Sequence, residues 1–161
     1  MSDELDIPLT LLDPDGGWIN APLHVHDLHG RPVLLHFWST HDESLQEQLP
    51  QLLEWIREFA PRGLQVIGVH VPLDGEDLRK AMDTNDLEAR AKQLSLHHPI
   101  AVDDGSMMAA YRVSGLPSYL IYDAFGKQRM RVSGTHESLR MVRQVLDRLT
   151  GPDATTGAFA P

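Results

Sequence analysis

Residues 33–38, Val-Leu-Leu-His-Phe-Trp, form a nearly continuous apolar run preceded by Gly30 and Pro32. The run is far short of the roughly 20 apolar residues that a membrane helix needs, and it has the character of a strand buried on both faces. A few residues later the pattern changes period. From Glu43 to Phe59 the apolar side chains Leu45, Leu49, Leu52, Leu53, Ile56 and Phe59 recur at helical spacing, with Pro50 inside the stretch and Pro61 and Gly63 closing it. A second buried strand follows at 64–71, "LQVIGVHV", ended by Pro72. Strand, helix and strand in that order require parallel pairing through a right-handed crossover. That confines the chain to α/β architectures.

The remaining segments extend the alternation. Residues 75–95 read as helix interrupted by Thr84-Asn85-Asp86, where Asn85 and Glu88 have capping-box spacing; one helix and two helices both fit. A short strand is expected at 99–104 and a short helix at 106–113, with Met107 and Met108 as core. Residues 115–134 predict a hairpin, two alternating strands around a turn at 124–127. An amphipathic helix is expected at 135–149, with Thr135 as N-cap and Ser138 in its first turn. Ahead of the core, 16–31 alternates loosely, as a short strand or hairpin would. The acidic residues 1–15, with Pro8 and Pro14, read as a lead-in, and 151–161 as a disordered tail. One domain at 16–150 results, in the order β-α-β-α-β-α-β-β-α, and no internal repeat is evident. Such an order predicts a mixed sheet with helices on both faces.

Charge and composition narrow the function classes. Lys and Arg total 14 against 23 Asp and Glu, a net charge of −9. An acidic surface of this kind repels phosphate backbones and anionic lipid, so neither nucleic acid nor a membrane is an expected partner. The first residues, "MSDELDIPLT", lack a basic region followed by an apolar stretch, and the cytoplasm is the expected compartment. Cysteine is absent from all 161 residues, which excludes disulfides, thiolate catalysis and Cys-ligated zinc. No cofactor is expected.

Two stretches carry a family resemblance. "WINAPLHVHDLHGRPVLLHFWST" followed by a helix with Pro50 is similar to redoxin and TlpA-like thiol–disulfide oxidoreductases, which read W-L-N, D-L-R-G-K and F-W-A-T/S-W-C-x-x-C. "VSGLPSYLIYDAFGKQRMRVSG" resembles their second signature, V-x-G-x-P-T-x-x-x-x-D-x-x-G, whose proline is cis. The resemblance covers about residues 16–149. It implies a thioredoxin-like fold, a three-layer α/β/α sandwich around a mixed central sheet, and a cis peptide before Pro117. It also implies that the backbone preceding Pro117 pairs with an extended substrate segment. The departures are specific. Aligning Phe37-Trp38 on the family's Phe-Trp puts Asp42 and Leu45 at the two cysteine positions and His41 at the usual tryptophan, while His36 falls where a buried proton-relaying carboxylate is common. Engineered knockouts normally use Ser or Ala, so Asp and Leu indicate natural divergence.

The turn at 40–44, "THDES", has two readings. Thr40 with Glu43 matches a capping box, and Asp42 and Glu43 suit the positive end of a helix dipole at about 0.3–1 kcal/mol each. Alternatively His41, Asp42, Glu43 and Ser44 supply acid–base or nucleophilic groups, which requires a base within hydrogen-bond reach of Ser44. His36 reads as a buried neutral imidazole satisfied by a backbone or carboxylate neighbour. His24, His26 and His29 with Asp27 offer zinc or copper donors, His24 and His26 sharing one face of an extended segment; exposed strand-and-turn histidines explain them equally. The functional expectation is a redox-inactive binding module that holds a protein partner or extended peptide across Trp38, His41, Asp42, Leu116 and Pro117. Its rivals are a cysteine-independent enzyme or metal-binding protein built on the histidines, and a structural subunit that homodimerises through the vacated face.

Overall fold

The computed structural model describes residues 7–133 and 136–151, without the side chains of Val25, His136, Glu137 and Ser138. The strands are β1 (Trp18–Ile19), β2 (Val33–Trp38), β3 (Gln65–His70), β4 (Ile100–Val102), β5 (Ser118–Tyr122) and β6 (Gln128–Ser133). Between them lie α1 (Ser44–Phe59), α2 (Leu78–Ala81), α3 (Thr84–Gln93) and α4 (Ser106–Ala110), and α5 (His136–Leu149) follows β6. They form one sheet in the order β1-β4-β3-β2-β5-β6. The pairs β2–β3 and β3–β4 are parallel, as their helical crossovers require. The pairs β1–β4, β2–β5 and β5–β6 are antiparallel. This is the expected three-layer sandwich with a mixed sheet.

Successive side chains of a strand point to opposite faces, and every residue of β2 is buried, so each face has its own core. Leu34, Trp38, Val66, Tyr119 and Ile121 pack under α1, α3 and α5 with Leu45, Leu52, Trp55, Leu87 and Val142. Val33, Leu35, Phe37, Ile67, Val69 and Tyr122 pack on the opposite face with Met107 and Tyr111. Ile7, Leu9 and Leu12 belong to that second core, and the Tyr111 hydroxyl donates to the Leu9 carbonyl at 2.8 Å. Residues 7–12 are thus part of the domain, not a lead-in; burial of three apolar side chains outweighs the prolines that suggested a loose segment. Residues 16–31 give the short strand β1 rather than a hairpin, followed by a 3-10 turn at Val25–Leu28.

Helix starts differ from the expected capping boxes. α1 begins at Ser44, with Glu43 already in helical geometry and no side-chain cap from Thr40. Asp42 substitutes, accepting from the Ser44 N–H at 3.2 Å and from its hydroxyl at 2.9 Å. The 75–95 segment is two helices, and Asp83, not Asn85, caps the second by accepting from the Asn85 and Asp86 N–H groups. An Asp carboxylate two residues before the first free N–H closes a tight Asx-turn, which prevailed at both starts. The hairpin lies where expected, its turn held by Asp123, which accepts from the Phe125 and Lys127 N–H groups, and by Gly126 at φ 82°. Thr135, expected as the α5 N-cap, and the tail from residue 152 lie outside the described residues. Among the described residues no helix is long and apolar enough to cross a membrane.

Candidate functional site

The central strand β2 ends at Trp38 and delivers the chain into the turn that precedes α1. The turn closes locally, with Asp42 N–H donating to the Ser39 carbonyl and Leu45 N–H to the Asp42 carbonyl, each at 3.2 Å. It is also tied to the neighbouring strand, since the Thr40 N–H donates to His70 Nε2 at 3.2 Å. That bond requires an unprotonated Nε2, so the turn is anchored only while His70 is neutral. Burial provides for this by lowering the His70 pKa to about 4, against a raising influence of Glu76.

The two positions that the resemblance aligns with the family's cysteines have different environments. Leu45 is 1 % exposed and sits in the helix-covered core, while Asp42 is half-buried and spent on capping α1. Ser44 donates its hydroxyl to both Asp42 oxygens, at 2.9 and 3.0 Å. Its geometry is that of a cap, with no histidine bonded to it among the described residues. His41 instead joins a residue that the sequence did not single out. Its Nδ1 lies 2.7 Å from Glu76 Oε2, and Glu76 Oε1 accepts from the Leu73 N–H at 2.8 Å. Burial pushes the Glu76 carboxyl up, but the Leu73 N–H and His41 together outweigh it and hold its pKa below the usual carboxylate range. His41 therefore has an oriented ring whose remaining polar atom is Nε2.

Beneath the turn lies a layer of buried rings. His36 stacks on Tyr119 with ring centroids 5.1 Å apart and on Trp38 at 6.3 Å, and Trp38 meets His70 edge-on at 4.9 Å. Gly68 on β3 opposes His36, and its bare Cα makes room for two more groups: a Cβ there would meet Trp38 Nε1 at 3.1 Å and His98 Nε2 at 3.3 Å. Asn20 holds the loop carrying His98 by donating to the Leu96 and His98 carbonyls. Burial lowers the pKa of His36 to about 3 and that of His98 to about 4, so both rings are neutral at pH 7. The neighbour expected to satisfy the His36 imidazole is not found at Nδ1. That atom, Trp38 Nε1, His70 Nδ1 and both His98 nitrogens have no hydrogen-bond partner among the described residues.

Of the residues expected to line a groove, His41 and Asp42 reach the surface, whereas Trp38 is 1 % exposed and its indole is core. A strand with every side chain buried gives no clue to which face its last residue takes, and Trp38 falls on the face that α1 covers. The Leu116–Pro117 peptide bond is cis. Pro117 is buried and Leu116 half-buried against the second core. Continuing the β2–β5 register, in which Phe37 opposes Ser118, sets Leu116 alongside Ser39. The main-chain N–H and C=O of Leu116 have no hydrogen-bond partner among the described residues.

The remaining histidine candidates are not on an extended strand. His24 starts a 3-10 turn that includes His26, their rings stack with centroids 5.7 Å apart, and exposed His26 faces Asp27 at 3.4 Å. Among the described residues no group of three or more His, Asp or Glu side chains is placed to hold a metal ion.

Comparison with known proteins agrees with this geometry. A thiol–disulfide oxidoreductase of Bacillus subtilis, YkuV, is 27 % identical over 144 residues, covering 88 % of this chain and 93 % of that one. The Bacillus subtilis thiol–disulfide oxidoreductase ResA is 28 % identical over 136 residues, 84 % of this chain and 69 % of its own length. Among solved structures, the oxidised form of a thioredoxin-like protein in solution superposes with a TM-score of 0.77 at 27 % identity, covering 91 % of this chain and 97 % of that one. A thiol-disulfide isomerase from Corynebacterium glutamicum gives 0.74 at 25 % identity, with coverage of 87 % and 94 %. The AhpC/TSA family matches residues 8–130, from the first buried turn to the middle of β6. With that match, these relatives and this fold, the chain belongs to the AhpC/TSA family, as a thioredoxin-like relative of the thiol–disulfide oxidoreductases that has no cysteine.

Proposed function

We propose that this chain is a redox-inactive binding module that holds an extended protein segment on the face where its relatives carry out disulfide chemistry. Dithiol exchange needs a thiolate nucleophile, and the chain has none. Leu45 is built into the core and Asp42 into the helix cap, which supports a turn committed to structure. The observation that carries the proposal is the main chain of Leu116, which has no hydrogen-bond partner among the described residues, beside a turn that exposes His41. An open donor and acceptor beside a sheet can accept one more strand, and such main-chain pairing needs no sulfur.

The test is selection of short extended peptides from a displayed random library, with wild type compared against a variant carrying His41→Ala and Leu116→Arg. Circular dichroism first establishes that both are folded. Peptides retained by wild type and lost by the variant support the proposal. Equal retention, or wild-type self-association that buries the same face, rejects it.

A second reading draws on the His41–Glu76 pair. A histidine oriented by a carboxylate at 2.7 Å is the arrangement of a general acid–base group, so a cysteine-independent hydrolytic or proton-transfer activity at His41 is the alternative.

A further inference from the structure

A cleft of about 560 Å³ opens on the β3 side of the former redox turn. One wall is Thr40 and His41; the other is built by α2 and α3, with Lys80, Ala81, Asp86, Leu87 and Arg90. Its volume lies in the range of small-molecule sites, and its construction is similar to theirs, an apolar base with a few polar groups that fix orientation. Ala81 and Leu87 are buried and supply the apolar part.

The charges in the cleft are out of keeping with the chain. On a protein of net charge −9, neither Lys80 nor Arg90 has a carboxylate within ion-pair distance among the described residues. Arg90 spends one N–H on Gln93 at 3.1 Å and keeps its other donors. Glu76, the acid that His41 touches, is already occupied by the His41 ring and the Leu73 N–H. Only Asp86 offsets the two cations within the lining. Paired surface cations are ordinary; two unpaired ones facing an oriented histidine across an apolar base make a receptor for negative charge.

We propose that this cleft binds a small organic anion, its carboxylate or phosphate group held between Lys80 and Arg90 and its apolar body lying on Ala81 and Leu87, with the His41 ring as the opposite wall. The assignment shares His41 with the segment-binding face but otherwise rests on α2 and α3, so Lys80→Gln and Arg90→Gln test it without altering the residues around Leu116. Non-specific attraction cannot mimic it, since the overall charge repels anions.

Amide NMR spectra of the whole chain, titrated separately with inorganic phosphate, butyrate and butanol, test the proposal. Phosphate or butyrate should give saturating shifts centred on Thr40, His41, Ala81 and Leu87, and butanol none. A response to phosphate alone identifies a phosphoryl headgroup, and a response to butyrate alone a carboxylate. The Lys80→Gln, Arg90→Gln double variant should weaken the apparent affinity at least about tenfold, as loss of charge-assisted hydrogen bonds does. Asp86→Asn should strengthen it roughly threefold by removing a like charge. Unshifted amides remote from the cleft show that both variants remain folded. Butanol shifts equal to those of the anions, shifts that never saturate, or unchanged affinity in the double variant would each overturn it.

Discussion

Lowering the pH from 7 to 5 should cost this protein on the order of 6 kcal/mol of stability, and the buried histidine layer is the reason. His36, His70 and His98 ionise near 3, 4 and 4 in the folded chain because burial disfavours the imidazolium, against about 6.5 in an exposed chain. Between those limits the unfolded state binds protons that the folded state refuses. The stability contributed by each ring is therefore complete above about pH 6.5 and is lost as the pH falls toward the folded pKa. At pH 5 each of the three contributes a loss of about 2 kcal/mol at 1.36 kcal/mol per pH unit. The total rivals the whole 5–15 kcal/mol stability of a typical domain. Urea unfolding followed by the fluorescence of the buried Trp38 and Trp55 measures it directly. His36→Phe keeps a ring between Trp38 and Tyr119 and should reduce the loss to about 4 kcal/mol. An unfolding free energy at pH 5 within about 1 kcal/mol of that at pH 7 would refute the layer's neutrality.

Other substitutions probe the same scaffold. Gly68→Ala should destabilise by about 1–3 kcal/mol, because its Cβ would be pressed against Trp38, Ile100 and His98 at 3.1–3.3 Å; chemical denaturation reads it. Leu45→Ala should cost about 2–5 kcal/mol by opening a core cavity, whereas Asp42→Ala should cost about 0.5–2 kcal/mol as a lost cap, so thermal unfolding should rank the two positions in that order. Tyr111→Phe removes the hydrogen bond to Leu9 and should cost about 1 kcal/mol, with faster amide exchange over residues 7–12 as its local signature.

What the sequence disclosed depended on range. The strand, turn and helix of 33–59, the hairpin and the sheet class were legible because each is written in a local period: continuous burial, 3.6-residue spacing or alternation. The outcome at Asp42 and Leu45 was half legible. Alignment on Phe37-Trp38 located them, but nothing local said that one would be core and the other a cap. The His41–Glu76 pair joins residues 35 apart, and the Gly68 niche draws Trp38 and His98 from different strands and loops, so neither leaves a local pattern. Capping was misassigned for a different reason. Around Thr40 and Asn85 several side chains compete for the same free N–H groups, and composition does not rank them. Trp38 reads as a groove residue in the sequence because an unbroken apolar strand conceals its two-residue period.

Pairing at the Leu116 main chain is most directly tested by the exchange rate of its own amide. With a selected peptide at saturation, the Leu116 N–H should become protected at least about tenfold, since a new strand would give it an acceptor that none of the described residues supplies in the free protein. The Leu120 amide, already within the sheet, serves as the reference and should not change. Saturating peptide that leaves the Leu116 rate unaltered would contradict the proposal that the face around Leu116 binds by adding a strand.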